Sequence, residues 1–131
     1  MSFDDKEESR IIVALDYNNK KDAVSMAKIL RPSLCKIKIG LELFITCGPS
    51  IIDEIHSLGY KIFLDLKFHD ITNTVVNSCK VAAKMGVWMI NVHSSGGKNM
   101  MLNSKKELVN EKYDTLVLGV TVLTSMQKDD I

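Results

Sequence analysis

The sequence has 131 residues, 46% of them hydrophobic and 25% charged, with a formal net charge of +1 at pH 7. A near-neutral chain with scattered charges gives no reason to expect nucleic acid or a membrane as a partner, and no apolar run approaches the ~20 residues of a membrane span. The polar stretch 1–9 is predicted to be a short lead-in, not a signal peptide. Three cysteines without metal-ligand spacing indicate reduced thiols, so we expect one cytoplasmic domain over 1–131.

Short apolar runs alternate with helical segments along the chain. The strand candidates are rich in Ile, Val and Leu on both faces, as parallel strands covered by helices are; they are Ile11–Asp16, Leu34–Gly40, Lys61–Lys67, Val87–Val92 and Leu116–Leu123. Pro and Gly near their ends delimit most of the helix candidates, which are Lys20–Leu30, Pro49–Leu58, Thr74–Met85 and Asn99–Val109. This order predicts a series of βα units.

Two α/β folds fit five βα units. One is a doubly wound open sheet of about this size, and the other is a (β/α)8 TIM barrel, which normally needs ~250 residues. The fifth strand is followed by "TSMQKDDI" and no helix. This ending favours an incomplete TIM barrel, of which the chain covers about the first five strands.

The stretch "FLDLKFHDITNTV" carries charges at the end of an apolar strand. Because side chains of a strand alternate between its faces, Asp65 and Lys67 share one face, and Asp70 follows in the loop. Active sites of parallel α/β folds lie at the carboxyl ends of the strands. We therefore expect an Asp-Lys-Asp row at that end.

The other strands also end in polar residues. Asp16 ends the first strand, Lys38 lies near the end of the second, and Thr124 and Ser125 follow the fifth. Lys36 has the same parity as Lys38 but lies deeper, so strand parity alone leaves the choice between them open. The simplest alternative for this set of residues is a structural ion-pair network.

The signs of the charges favour a particular chemistry. A lysine flanked by carboxylates is held in its charged form, which suits a proton donor better than a general base. A carboxylate beside a substrate anion disfavours that anion, so a decarboxylation followed by protonation fits the row. The same electrostatics would also suit a Mg²⁺ site that uses Asp65 and Asp70.

Five segments, in order, resemble the orotidine 5′-phosphate decarboxylase family: "IIVALDYNN", "KIKIGLELF", "LDLKFHDITNTV", "GVWMINVHSSGG" and "GVTVLTSM". The resemblance runs from about Ile11 to the last residue. It implies a TIM barrel that needs no metal and no organic cofactor. It also implies conversion of orotidine monophosphate (OMP) to UMP and CO₂ in pyrimidine biosynthesis, by a homodimer with shared active sites.

The resemblance also implies a role for each matching residue. Lys67 would protonate C6 of the pyrimidine, and Asp65 would lie beside the substrate carboxylate. The other implied contacts are with the ribose (Lys38, Asp16), with the neighbouring subunit's site (Asp70, Ile71, Thr74) and with the substrate and its base (Thr124, Ser125). His69 is expected to make a structural hydrogen bond, and "HSSGG" either forms a flexible loop or cradles a phosphate.

The chain departs from the family pattern in two places. Thr72 stands where the family usually has Pro, for which we expect a modest effect on loop rigidity. The later loops that supply the family's lid and phosphate-gripping Arg have no counterpart here, so we expect little or no activity from the 131-residue chain alone. Three alternatives remain: a Mg²⁺-dependent sugar-phosphate decarboxylase or aldolase, a phospho-receiver domain, and an inactive truncated fragment.

Overall fold

A computed structural model describes residues 8–131 of the chain. These residues form five strands, β1 (Ile12–Ala14), β2 (Lys36–Gly40), β3 (Ile62–Phe68), β4 (Met89–His93) and β5 (Leu116–Val120). They also form five α-helices, α1 (Lys20–Ile29), α2 (Leu41–Cys47), α3 (Ser50–Ser57), α4 (Thr72–Lys84) and α5 (Lys98–Asn110). The strands form one sheet in chain order, and the registers of β1 with β2, β2 with β3 and β4 with β5 are parallel.

All five predicted strands and all four predicted helices are present, with shifted ends. The first strand ends at Ala14 and not at Asp16, and the fifth ends at Val120 and not at Leu123. Beyond Val120 the chain leaves the extended conformation, and Met126 N–H donates to the Leu123 carbonyl in a turn. Polar residues that sequence reasoning placed on strand ends therefore lie in loops.

Helix α2 was not predicted from the sequence. It follows β2 directly, ends at Gly48 (φ 70°) and has no side-chain N-cap. Seven residues that include β-branched Ile45 and Thr46 have little intrinsic helix propensity and lack a helix start signal. The helix packs against β2, α1 and α3, and its Leu43 is buried.

The chain divides into two compact units, 1–65 and 66–131. In the first unit, the core is formed by aliphatic side chains of β2, β3 and the helices, all fully buried: Ile37, Ile39, Ile51, Ile52, Ile55, Ile62 and Leu64. The Tyr60 hydroxyl donates to the Ala27 carbonyl at 2.7 Å, so the one polar group that this ring buries is satisfied. The apolar strand faces, from which we predicted parallel strands covered by helices, are thus the faces that pack in the core.

Glu8 and Ser9, the described part of the predicted lead-in 1–9, are held against β2 and the start of β3. Lys36 is buried, donates to the Ser9 carbonyl at 2.6 Å and lies 3.6 Å from Glu8 Oε1. Lys61 Nζ also bonds Glu8 Oε1. The hydrogen bond from Lys61 and the positive charges of both lysines lower the pKa of the Glu8 carboxyl.

We expect Glu8→Gln to lower stability at neutral pH and to lose its effect in acid. The pKa of Glu8 is lowered in the folded state, so its contribution is present above the ordinary carboxyl pKa and disappears as the pH falls through the lowered value. Urea midpoints of the two proteins, measured from pH 7 to pH 3, should therefore converge at low pH. A constant difference across that range would contradict the ionic origin, and Glu54→Gln is a control for loss of a surface carboxylate.

The second unit packs α4 against α5. Val75, Cys79 and Ala82 of α4 are buried, as are Met100 and Leu108 of α5. Burial raises the pKa of the Cys79 thiol to about 11. Cys35 is likewise buried, Cys47 is half-buried, and all three thiols are free, as predicted. Across residues 8–131, no helix is long and apolar enough to cross a membrane.

Thr72, which stands at the usual position of Pro, is the first residue of α4. Pro fits a first helical position, where the N–H has no intrahelical acceptor. The preceding residue, Ile71, has φ −50° and ψ 136°, in the extended range that a residue before Pro requires. The backbone is therefore already compatible with the missing Pro.

We expect Thr72→Pro to raise the free energy of unfolding by about 0.4–1 kcal/mol, chiefly through lower entropy of the unfolded chain. Ser78→Pro, in the middle of the same helix, is the matched control and should cost about 3 kcal/mol. Chemical denaturation of both variants measures the two effects. A loss of stability in Thr72→Pro would show that the Thr72 side chain or N–H makes a contact that Pro removes.

Candidate active site

In the first unit, Lys38 lies between two carboxylates at the carboxyl ends of the strands. Its Nζ is 3.1 Å from Asp65 Oδ2 and 3.9 Å from Asp16 Oδ1. The β2–β3 register pairs Gly40 with Asp65, which brings the Asp65 side chain beside the lysine two residues earlier on β2. A Cβ at Gly40 would be 3.5 Å from Lys38 Nζ, an ordinary contact distance, so the ammonium lies directly beside the Gly40 backbone.

The two carboxylates differ in their environment. The Asp65 side chain is 9% exposed and that of Asp16 is 79% exposed, while Lys38 is 24% exposed. A nearly buried carboxylate needs a charged or hydrogen-bonding partner, whereas an exposed pair at 3.9 Å contributes little. Lys38 therefore compensates Asp65 primarily, and its contact with Asp16 is secondary.

The structure distinguishes the roles of Lys38 and Lys36, which strand parity could not do. Lys36 reaches Glu8 and Ser9, which precede β1, whereas Lys38 reaches Asp16, which follows β1. The two lysines lie on one strand but bind at its opposite ends. The geometry favours Lys38 as the site residue and gives Lys36 a structural partner.

In the second unit, Lys67 has an unusual backbone. Its φ is 50°, in the left-handed region, which is rare for a residue with a side chain. Its N–H donates to Asn91 Oδ1 at 2.9 Å, and Asn91 on β4 is 2% exposed. Such a conformation costs about 1–3 kcal/mol and persists where the surroundings impose it, most often at functional sites.

The regular alternation of side chains on β3 therefore stops at Lys67. Strand parity assumes an extended backbone, so it does not predict the direction of the Lys67 side chain. Asn91 lies within the predicted fourth strand, but it was not predicted to be a site residue. The sequence feature that could have identified Asn91 is its side-chain amide, which interrupts a strand that is otherwise apolar up to His93.

The remaining predicted site residues lie in loops and at the start of a helix. Asp70 Oδ1 accepts a hydrogen bond from the Ile71 N–H, and Ile71 is 77% exposed just before α4. Thr74 is exposed in the first turn of that helix. Thr124 and Ser125 occupy the centre of the turn after β5 and are exposed.

A groove of about 620 Å³ runs along α4 and α5 in the second unit. Ile71, Thr72 and Val76 line one side of it, and Asn103 and Lys106 line the other. Within residues 8–131, no three His, Cys, Asp or Glu side chains cluster closely enough to hold a metal ion.

The βα order, the parallel strands and the charged side chains at their carboxyl ends define an α/β chain of the kind that carries enzyme sites at that end. The sequence model of the family described as "Orotidine 5'-phosphate decarboxylase / HUMPS family" matches residues 9–131. The chain belongs to this family, as its sequence segments predict.

Several relatives are similar over nearly the whole chain. Proteins called orotidine 5′-phosphate decarboxylase from Marinomonas sp. and Buchnera aphidicola are 55% and 50% identical, over 95% and 93% of this chain and 53% and 52% of their own. The crystal structure of orotidine 5′-phosphate decarboxylase from Lactobacillus acidophilus has a TM-score of 0.79 at 38% identity, over 91% of this chain and 55% of that one. The predicted fold class is confirmed: the chain has five parallel βα strands of a TIM-barrel family and spans about half the length of its curated relatives.

Proposed function

We propose that this chain carries the lysine–aspartate half of an orotidine 5′-phosphate decarboxylase site, in a reaction that converts OMP to UMP and CO₂. The observation that carries the proposal is the Lys38–Asp65 pair: a nearly buried carboxylate at the carboxyl end of β3, compensated by a lysine from β2. A chain that needed only stability could place apolar residues there at no loss. The family match supports the decarboxylase assignment.

The proposed roles follow the charges. Asp65 lies beside the substrate carboxylate, and loss of CO₂ removes the negative charge that this aspartate disfavours. Lys67 then delivers a proton to C6 of the pyrimidine. Lys38 and Asp16 bind the ribose hydroxyls, Thr124 contacts the substrate, and Ser125 lies close to the base. No metal or organic cofactor takes part, because fixed charges and one proton donor supply the chemistry.

We also propose that the protein is a cytoplasmic homodimer with shared sites. Asp70, Ile71 and Thr74 lie together around the start of α4, and Ile71 exposes 77% of its apolar surface there. An isoleucine at this exposure beside an acidic residue suits an interface in which Asp70 serves the neighbouring subunit's site. The groove that begins at Ile71 extends the same surface along α4 and α5.

A chimera tests the proposed reaction. Residues 1–131 are joined to the part of the Marinomonas relative that this chain does not match, and conversion of OMP to UMP is followed by the release of labelled CO₂. We expect turnover by the chimera, unchanged by EDTA, and little or none by the 131-residue chain alone. A folded chimera without turnover would contradict the proposal, and turnover abolished by EDTA would favour the Mg²⁺-dependent sugar-phosphate enzyme class.

A further inference from the structure

Two histidine rings lie next to each other at one cavity in the second unit. The ring centroids of His69 and His93 are 5.3 Å apart, and their planes are inclined by 38°. Both rings line a cavity of about 330 Å³ at the carboxyl ends of β4 and β5. Ser95, Thr121 and Met126 are also in its wall. Neither histidine belongs to the proposed catalytic set.

The imidazole nitrogens of this pair are available. Among residues 8–131, neither side chain takes part in a hydrogen bond or ion pair, and their contact is with each other. Sequence reasoning expected a structural hydrogen bond for His69, and that prediction is wrong for the described residues. His69 is exposed and His93 is half-buried, so solvent and small ions can reach the pair.

The spacing of the rings matches shared coordination of one metal ion. With zinc–nitrogen bonds of about 2.0 Å at a tetrahedral angle, two imidazole centroids stand about 5 Å apart, close to the 5.3 Å observed. The χ2 torsion of histidine is broad, so a small ring rotation turns one nitrogen of each side chain toward a common point. The cavity is large enough for the ion and for waters that complete its coordination shell.

We propose that His69 and His93 form a site for a divalent transition-metal ion of the Zn²⁺ type. Neutral imidazole is a ligand for Zn²⁺, Cu²⁺ and Ni²⁺ and not for Mg²⁺, which takes oxygen ligands. Ser95 and Thr121 also line the cavity, where their hydroxyls would hydrogen-bond metal-bound waters. The site is independent of the proposed reaction, which needs no metal.

The site has a mechanical consequence for the chain. His69 precedes Asp70 in the loop between β3 and α4, and His93 is the last residue of β4. A bound ion ties that loop to β4 by two coordinate bonds. Metal binding should therefore raise the thermal midpoint of the chain, because an ion that binds only the folded state stabilises it.

Calorimetric titration of ZnCl₂ into the chain tests the proposal. We expect one ion bound per chain, loss of that binding in both His69→Gln and His93→Gln, and no heat from MgCl₂. His56→Gln is the matched control, because His56 is the one other histidine of the sequence and lies on α3. Cys47→Ser is the control for zinc capture by the half-buried thiol. Both control variants should bind as the unchanged chain does.

Three outcomes would overturn the proposal: no binding, binding that survives in both histidine variants, or binding that disappears in Cys47→Ser. Carbon–proton NMR of the histidine rings in the unchanged chain gives a second measurement that needs no variant. Zn²⁺ should shift the ring signals of two of the three histidines and leave the signal of His56 in place. Shifts of all three signals, or of none, would contradict a site made by this pair.

Discussion

Lys67→Ala, made in the chimera described above, is expected to lower kcat/KM for OMP by about 10³-fold or more. A general acid contributes about 10²–10⁴-fold, and the proposed proton donor would also supply positive charge to the developing carbanion. Lys84→Ala, which removes an exposed lysine at the end of α4, is the matched control and should leave kcat/KM unchanged. The ratio of kcat/KM values, measured by release of labelled CO₂, decides the result.

Two further substitutions at position 67 distinguish the effect of losing the proton donor from the effects of losing the positive charge and of destabilising the fold. Lys67→Arg keeps the positive charge, but its guanidinium is a weaker acid than the ammonium and a larger, planar group, so turnover should fall far below that of the unchanged chimera. Lys67→Gly should be inactive and yet unfold within about 1 kcal/mol of the unchanged chain, because glycine relieves the strain of the positive φ. An arginine variant with near-normal turnover would show that charge alone suffices.

The strands could be predicted from the sequence because each is a continuous apolar run buried on both faces. Leu64 and Ile62 pack as that pattern requires, and Asp65 interrupts it where the register brings Lys38 close. The segment α2 could not be predicted, since its helix rests on packing and not on propensity. Such tertiary contacts cannot be predicted from the local sequence.

The candidate site was predictable in its residue types and less so in its geometry. The contact of Lys38 with Asp65 follows from the regular, parallel pairing of β2 and β3, although parity alone did not distinguish Lys38 from Lys36. Parity fails at Lys67, whose N–H donates to a side chain 24 positions away and whose backbone is left-handed. The partners of Lys36 could not be predicted either, because Glu8 and Ser9 belong to a segment that was predicted only to be a polar lead-in.

The Lys38–Asp65 pair should give the largest effect on stability. Lys38→Met keeps the length of the side chain but removes the ammonium that lies 3.1 Å from the Asp65 carboxylate, which is 9% exposed. Removing one member of a buried pair costs up to about 3–5 kcal/mol, because the remaining carboxylate loses a compensating charge in a poorly solvated place. Chemical denaturation of the 131-residue chain measures this loss without any need for catalysis.

A double-mutant cycle assigns the cost to the pair itself. In the background of Asp65→Asn, Lys38→Met should cost less by about 0.5–3 kcal/mol, since the carboxylate that the ammonium compensates is already absent. Asp16→Asn removes the exposed partner at 3.9 Å and should change the free energy of unfolding by no more than about 1 kcal/mol. Equal costs for Asp16→Asn and Lys38→Met would show that the exposed carboxylate, and not Asp65, is the partner that Lys38 stabilises.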